Sequence, residues 1–187
     1  MNRTREALID VAARLLDEGG TDAVTLRQVG HGAGVSHNAP YKHFAGKEAL
    51  LAAVAARELQ GLRTAMERAA ERQRPGDALR TVLVDYAAWA LRYPARFKLV
   101  FGRWSIESDE LAEAATAANA AFVDLVAAAQ RDGELPAGDA VRLAALIRAL
   151  AHGAADLALA GHLAGERKGA VEPGDLVEDL LGYLRSR

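Results

Sequence analysis

Residues 25–47 read TLRQVGHGAGVSHNAPYKHFAGK, and this stretch decides how the whole chain is interpreted. Thr25 and Gln28 have the spacing of a capping box, in which two side chains satisfy free backbone N–H groups at a helix start. Glycines at three positions within residues 30–34 keep that helix short, because glycine weakens a helix interior. Ser36 is a favourable N-cap for another helix, which would carry residues 37–44. The pattern predicts a helix-turn-helix.

Helical patterns flank this stretch on both sides. Residues 4–18 place apolar side chains on one stripe of a helix, and a Gly-Gly pair ends it. The stripe consists of Leu8, Val11, Ala12, Leu15 and Leu16. A long linker helix is predicted over residues 47–72. We therefore expect a helix-turn-helix domain over residues 1–47 and a second helical domain over residues 48–187.

The charge of this stretch differs from that of the rest of the chain. No Asp or Glu occurs from Ala23 to Lys47, a gap that contains Arg27, Lys42 and three of the five histidines. The net charge of -2 argues neither for nor against nucleic acid, because a small basic face fits within a neutral total. Taken alone, these basic residues could belong either to an ordinary solvated surface or to a DNA-binding surface. Together with the helix-turn-helix spacing, they favour DNA.

Composition restricts the fold class and the chemistry. Of 187 residues, 42 are Ala and 25 are Leu, both strong helix formers, and only three are the β-branched Ile. We expect an all-α chain of about nine helices. Cysteine is absent, which excludes disulfides and thiolate catalysis. No nucleophile elbow, Walker loop, dinucleotide fingerprint or His-Glu-x-x-His occurs, so we expect neither an enzyme nor a cofactor.

Turn residues divide the remainder into further helices. These are predicted from about 77 to 92, through Phe97 and Phe101, from 109 to 131, from 139 to 164 and from about 175 to 185, with a polar loop at 165–169. The most apolar stretch, residues 143–163, is interrupted by Arg148, His152 and Asp156, which argues against a membrane span. No leader pattern opens the chain, so we expect a cytoplasmic protein.

Four short motifs with fixed spacing resemble the DNA-binding domain of TetR-family transcriptional regulators. They are Thr25-Leu26-Arg27-Gln28-Val29, Ala33-Gly34-Val35-Ser36, Tyr41-Lys42-His43-Phe44 and Lys47-Glu48-Ala49-Leu50. The resemblance covers about residues 4–55. Farther along, residues 92–101 and Ala151-His152-Gly153 are similar to the subgroup named for a Trp-His-Gly motif, with Ala151 standing in place of Trp.

The resemblance implies a set of DNA-contacting residues. The set is Thr25, Arg27, Ser36, His37, Asn38, Ala39, Tyr41, Lys42, His43 and Lys47. Asn38 suits an adenine edge and Lys42 a guanine edge, with His37 as a further hydrogen-bonding side chain. Ala39 and Pro40 offer apolar contact to a thymine methyl group.

Other members of the set are suited to phosphates. Thr25, Tyr41 and His43 fix orientation without reading sequence, and Lys47 adds its charge to the positive end of the following helix. Two alternatives stay open, since Thr25 is equally explained as a helix cap and Tyr41 as a core ring. Gly30 stands where members of the family more often have Ala, which weakens the short helix by about 1 kcal/mol.

Aromatic residues cluster in the second domain and predict either a ligand pocket or an ordinary core. Six of the ten aromatics lie between residues 86 and 104. The candidate ligand-binding residues are Tyr86, Trp89, Phe97, Phe101, Trp104, Phe122, His152 and Asp156. His152 and Asp156 are four residues apart, so they form a buried pair or a polar anchor of the pocket. A metal site is not expected, because no third ligand has a convincing spacing.

The resemblance implies a homodimeric repressor that binds a palindromic operator in double-stranded DNA and is released by a small apolar or aromatic effector. In such proteins the last two helices form the dimer interface, although here their apolar faces could also belong to the core of one subunit. One alternative is a helical small-molecule-binding protein without specific DNA readout, and another is a structural dimerisation module. The operator, the effector and the direction of regulation are not determined by these residues.

Overall fold

The computed structural model describes residues 3–163 and 171–185. Within them the chain forms eight α-helices and two short 3₁₀ helices and contains no strand, which confirms the predicted all-α class and nearly matches the expected number of helices. The α-helices are α1 (Arg3–Gly19), α2 (Leu26–Gly32), α3 (Lys47–Arg72), α4 (Pro75–Arg92), α5 (Pro94–Val100), α6 (Asp109–Arg131), α7 (Ala140–Leu159) and α8 (Pro173–Arg185). The 3₁₀ helices are Thr21–Ala23 and Pro40–Lys42.

Prolines and glycines set several helix ends. Prolines are the first residues of α4, α5 and α8, where a missing N–H costs no intrahelical hydrogen bond. The end of α7 differs from the prediction, at Leu159 rather than at residue 164. Gly161 adopts φ +76°, and the N–H of His162 donates to the carbonyl of Leu157 (2.8 Å), which closes the helix. The predicted loop over residues 165–169 lies outside the described residues.

The helix predicted to begin at Ser36 is wrong in extent. The structure has turns at residues 37–39 followed by the single 3₁₀ turn Pro40–Lys42, whose N-cap is Ala39 rather than Ser36. Pro40 has no N–H, so it cannot donate the i→i−4 bond to the Ser36 carbonyl that an α-helix needs. That carbonyl instead accepts from the N–H of Ala39 at 2.9 Å.

The chain divides into two compact units. Unit 1 contains residues 1–60 and 93–116, and unit 2 contains residues 61–92 and 117–187. The predicted boundary after residue 47 lies within unit 1, and the functional division into two domains stays a prediction.

The core of unit 1 is built from α1, α2 and the first part of α3. Its fully buried side chains from these helices and the turn between them include Leu8, Ile9, Leu16, Val24, Val29, Leu50 and Val54. Ala95, Leu99 and Trp104, from and after α5, pack against this core. Arg96 ties α5 to its neighbours, since its guanidinium pairs with Asp17 of α1 and with Glu58 of α3 (3.0 Å). Residues 93–116 therefore complete the core of the predicted DNA-binding part.

The core of unit 2 is formed by α4, α7 and α8, which pack on one another, and by the later residues of α6. Its buried residues include Leu79, Leu83, Phe122, Val126, Ile147, Val177 and Leu181. Four alanines of α7 are buried, and small side chains let helix axes approach closely.

By length and hydropathy, α6 is the one helix in the described parts of the chain that could cross a membrane. This is weak evidence, because core helices of globular proteins meet the same criteria. The apolar stretch over residues 143–163, which we considered from the sequence, does not meet them within its described helix.

Candidate nucleic-acid interface

A side-chain cap begins α2, the first helix of the helix-turn-helix. The Thr25 hydroxyl oxygen accepts a hydrogen bond from the N–H of Gln28 (3.2 Å), which confirms Thr25 as the N-cap. The hydroxyl also donates to the side-chain carbonyl of Gln28 (2.8 Å). One half of the predicted capping box is therefore present, and the Gln28 side chain contacts the Thr25 hydroxyl rather than its backbone N–H.

The turn after α2 depends on Gly34. This residue has φ +66°, a conformation that L side chains rarely adopt. It allows the N–H of Val35 to donate to the carbonyl of Gly30 (3.1 Å) and its own N–H to donate to the carbonyl of His31 (3.0 Å). These two bonds form a Schellman motif, which closes α2 and turns the chain toward the exposed segment that follows.

Gly30 brings α2 into close contact with Pro40. Pro40 is buried, and a Cβ atom built on Gly30 would lie 2.8 Å from Cγ of Pro40 and 3.4 Å from its Cδ. Real Cβ atoms essentially never approach another atom this closely. The presence of Gly at residue 30, where members of the family more often have Ala, therefore has a structural explanation: glycine makes room for the proline ring.

The segment held by this contact is exposed. We define the reading turn as residues 36–42, of which Ser36, His37, Asn38 and Lys42 are exposed. Tyr41 keeps 54% of its surface exposed and lies 6.0 Å from His37 between ring centroids, so it is not a core residue. The side chains with base-edge chemistry are thus accessible on one short turn.

The other members of the predicted set lie beside the reading turn in unit 1. Thr25, the N-cap of α2, and Arg27, on α2, are exposed, while Ala39 and His43 are half-buried. Lys47 is half-buried at the first position of α3. All ten residues fall between residues 25 and 47, but contact of any of them with DNA stays a prediction.

Phe44 anchors the end of the reading turn in the core. Its ring is buried, and its N–H donates to the carbonyl of Pro40 at 2.9 Å. The guanidinium of Arg5 lies 5.4 Å from the ring centroid and pairs with Glu110. α1 and α6 thereby hold the residue that positions the turn.

The predicted ligand residues fall into both units. Phe97, Phe101 and Trp104 belong to unit 1, where the rings of Phe97 and Phe101 lie 5.5 Å apart. Tyr86, Trp89, Phe122, His152 and Asp156 belong to unit 2. Phe97 and Phe122 are buried core residues, whereas Asp156 is exposed. Their role in ligand binding stays a prediction.

A polar contact in unit 2 joins α4 to α7. The Tyr86 hydroxyl lies 3.0 Å from Nδ1 of His152, and it donates to that atom in the tautomer whose proton is on Nε2. Burial raises the pKa of Tyr86. Burial also lowers the pKa of His152, which Asp156 opposes and Arg148 reinforces. Both groups are therefore held in their neutral forms near pH 7.

A cavity of about 490 Å³ lies in unit 1. Its lining residues are Leu59, Val100, Trp104, Ile106, Glu107, Ser108, Asp109, Leu111, Ala112 and Ala115. Of the predicted ligand residues, only Trp104 is among them. The sequence analysis did not identify the other lining residues, because the wall combines Leu59 of α3 with residues 100–115, which are forty or more positions later in the chain. The sequence signal available was the interrupted helical pattern between Phe101 and Asp109. No group of three metal-ligating side chains is found among residues 3–163 and 171–185.

The capped α2, the glycine turn and the exposed segment define a helix-turn-helix protein. A family profile described as "Bacterial regulatory proteins, tetR family" matches residues 8–54. Another, described as "Tetracyclin repressor-like, C-terminal domain", matches residues 79–182. The chain therefore belongs to the TetR family of transcriptional regulators, which are DNA-binding proteins and not enzymes. The Trp-His-Gly subgroup stays a prediction.

Solved structures agree with this assignment. A protein of unknown function from Rhodococcus sp. RHA1 has a TM-score of 0.83 and 30% identity, covering 100% of this chain and 95% of that one. FadR from Bacillus subtilis, in complex with stearoyl-CoA, has a TM-score of 0.72 and 17% identity over 97% of each chain. SmeT in its triclosan complex has a TM-score of 0.68 and 25% identity, covering 96% of this chain and 90% of that one. No curated protein matches the sequence.

Proposed function

We propose that the protein is a homodimeric repressor that binds a palindromic operator and is released from it by a small-molecule effector. The observation that carries the proposal is the reading turn, which exposes His37, Asn38, Tyr41 and Lys42 within a stretch free of acidic residues. An exposed segment with these donors suits entry into a major groove, where base edges are distinguishable. Because a bacterial operator lies in the cytoplasm, we place the protein there.

The surface of unit 2 supports a dimer. Leu146 is 68% exposed and Leu157 is 46% exposed, eleven residues apart on nearly the same side of α7. On α8, Val177 and Leu181 are buried, while Tyr183 is 71% exposed. The apolar side chains of these helices therefore divide between the core of the subunit and its surface. A two-fold dimer covering the exposed ones would present two reading turns to two half-sites about 34–36 Å apart.

Two observations support an effector with a sizeable apolar part. FadR and SmeT share this fold, and their solved structures are complexes with stearoyl-CoA and with triclosan. The cavity in unit 1 has Leu59, Val100 and Trp104 in its wall and a volume within the range of about 300–1,000 Å³ that small-molecule sites occupy. If DNA lowers the affinity of the protein for the effector, the effector must lower the affinity of the protein for DNA by the same factor.

The proposal is tested by selecting a randomised duplex library on the purified wild type, with Tyr41→Ala and Tyr41→Phe alongside. We expect the wild type to enrich a palindrome and Tyr41→Ala to lose the enrichment. Tyr41→Phe separates the contribution of the hydroxyl from that of the ring. A folded wild-type protein that enriches no sequence, and whose DNA binding lacks a steep inverse salt dependence, would contradict the proposal and favour the small-molecule-binding alternative.

A further inference from the structure

We propose that the cavity in unit 1 is the effector site and that its occupant is an amphiphilic cation, an apolar molecule with an amine or quaternary ammonium head. Naming the occupant an effector rests on the proposed function; the binding chemistry itself does not. The sequence predicts a small apolar or aromatic effector, and the positive head group is added here because of the charge of the cavity wall.

The interior of the cavity is apolar. Leu59 and Val100 are buried, and Trp104, Ile106 and Leu111 are half-buried. Covering these side chains removes apolar surface from water, which favours a ligand with a hydrocarbon or aromatic body. The volume of about 490 Å³ suits one molecule of small drug size.

The charged groups in the wall are all acidic. Glu107 and Asp109 line the cavity and are exposed, and its lining includes no Lys, Arg or His. Neither carboxylate forms an ion pair with a side chain in the described residues, whereas the neighbouring Glu110 is paired with Arg5. The helix start at Asp109 contributes a positive end equivalent to only about half a charge, which two carboxylates outweigh. An anionic head group would be repelled here, and a cationic one attracted.

Trp104 adds a second attraction for a cation. Its indole lines the same cavity as the two carboxylates. A cationic head within about 6 Å of an indole face is attracted by the negative charge of the ring face. The site thus combines an apolar interior for the body of the ligand with an indole and two carboxylates for its positive head.

The same residues connect the cavity to the DNA-binding part of unit 1. Trp104 packs against the core that holds α1, α2 and α3. Leu59 is on α3, the helix whose first residue is Lys47, and the adjacent Glu58 pairs with Arg96 of α5. An occupant that displaces Trp104 or Leu59 therefore disturbs contacts that support the reading turn. Such an occupant has different affinities for the DNA-bound and the DNA-free protein.

The test is direct binding of decyltrimethylammonium and of decanesulfonate, both below their micelle concentrations. Trp89→Phe leaves Trp104 as the only tryptophan, so its fluorescence reports occupancy of this cavity. We expect the cation to bind at least tenfold more tightly than the anion. In Glu107→Gln/Asp109→Asn the cation should lose at least fivefold in affinity while the anion loses none.

Two variants serve as controls for charge and folding. Glu113→Gln removes an exposed carboxylate from the same helix outside the cavity and should leave cation affinity unchanged. The single variant Glu107→Gln changes a residue that precedes α6, so it removes one carboxylate of the cavity and leaves the start of that helix unchanged. Equal affinity for the two head groups, no binding of the cation, or an equal loss in Glu113→Gln would overturn the proposed ligand class.

The effector role is tested separately, on the selected operator duplex. We expect decyltrimethylammonium to weaken operator binding at least fivefold in Trp89→Phe and not in Glu107→Gln/Asp109→Asn. Cation binding without any effect on operator affinity would overturn the effector role. If the protein selects no operator at all, the proposed function fails while the head-group comparison still decides the binding site.

Discussion

Gly30 and Pro40 fit each other so closely that a Cβ atom on Gly30 would lie 2.8 Å from Cγ of Pro40. Pro40 lies in the reading turn and Gly30 lies in the middle of α2, so this contact fixes the distance between the two parts of the helix-turn-helix. Two costs accompany it, since glycine weakens α2 and proline limits the following helix to a single turn.

The effect of Gly30→Ala on the unfolding free energy should therefore change sign when the residue at position 40 is changed. In the wild type we expect a loss of about 1–3 kcal/mol in unfolding free energy from overpacking, with weaker operator binding. In a Pro40→Ala background the same change should stabilise by up to about 1 kcal/mol, because Ala is the better helix former. Chemical denaturation of the four variants measures the coupling. Additive effects would show that the two residues do not depend on each other.

Lys47→Ala should weaken binding to all DNA sequences alike. As the first residue of α3, Lys47 combines its charge with the positive end of the helix and suits a phosphate. We expect the slope of log affinity against log salt to decrease by about 1. The matched control is Lys98→Ala, an exposed lysine on α5. A slope unchanged from wild type would remove Lys47 from the interface.

Substitution of Asn38 or Lys42 should instead relax the preference at particular operator positions. Both side chains are exposed on the reading turn and can form hydrogen bonds to base edges. Asn38→Ala and Lys42→Ala should each cost about 1–3 kcal/mol on the preferred base and little on others. Affinities for single-base operator variants provide the measurement, and equal losses on every variant would rule out base readout by that residue.

Leu146→Glu should dissociate the dimer. Leu146 is largely exposed on α7, and a carboxylate there would be buried in a two-fold interface without a partner. Sedimentation should show a monomer, and operator affinity should decrease because one subunit contacts one half-site only. Leu91→Glu, on the exposed side of α4, is the matched control and should remain dimeric. A dimer retained by Leu146→Glu would place the interface elsewhere.

Acid should destabilise the protein through His152. Burial holds the pKa of His152 below its ordinary value, so between the two values the unfolded chain binds a proton that the folded chain does not. This contribution is fully present above about pH 6.5 and is lost as the pH falls through the folded pKa. Thermal unfolding from pH 7.5 to 5 should show a smaller decrease in His152→Gln. His162→Gln, at an exposed histidine, should follow the wild type.

Local chemistry explains which features the sequence predicts. The start of α4 at Pro75 and the span of α6 to Arg131 depend on nearby prolines, glycines and helix formers, and they are predicted closely. The extent of the helix at Ser36 is not predicted: the missing N–H of Pro40 prevents the α-helix, and Pro40 also packs closely against Gly30, a contact between residues ten positions apart. The cavity is not predicted either, since the contact of Leu59 and Trp104 with one space depends on tertiary structure rather than on local periodicity.

The membership of residues 93–116 in unit 1 has a consequence for engineering. Because Leu99 and Trp104 complete the hydrophobic core around α1 and α3, a DNA-binding fragment cut after residue 60 would leave that core open to water. A chimera that joins this helix-turn-helix to the sensing part of another regulator therefore needs a discontinuous graft, with residues 93–116 transferred together with residues 1–60. In this protein specificity and sensing are not modules that a single junction can exchange.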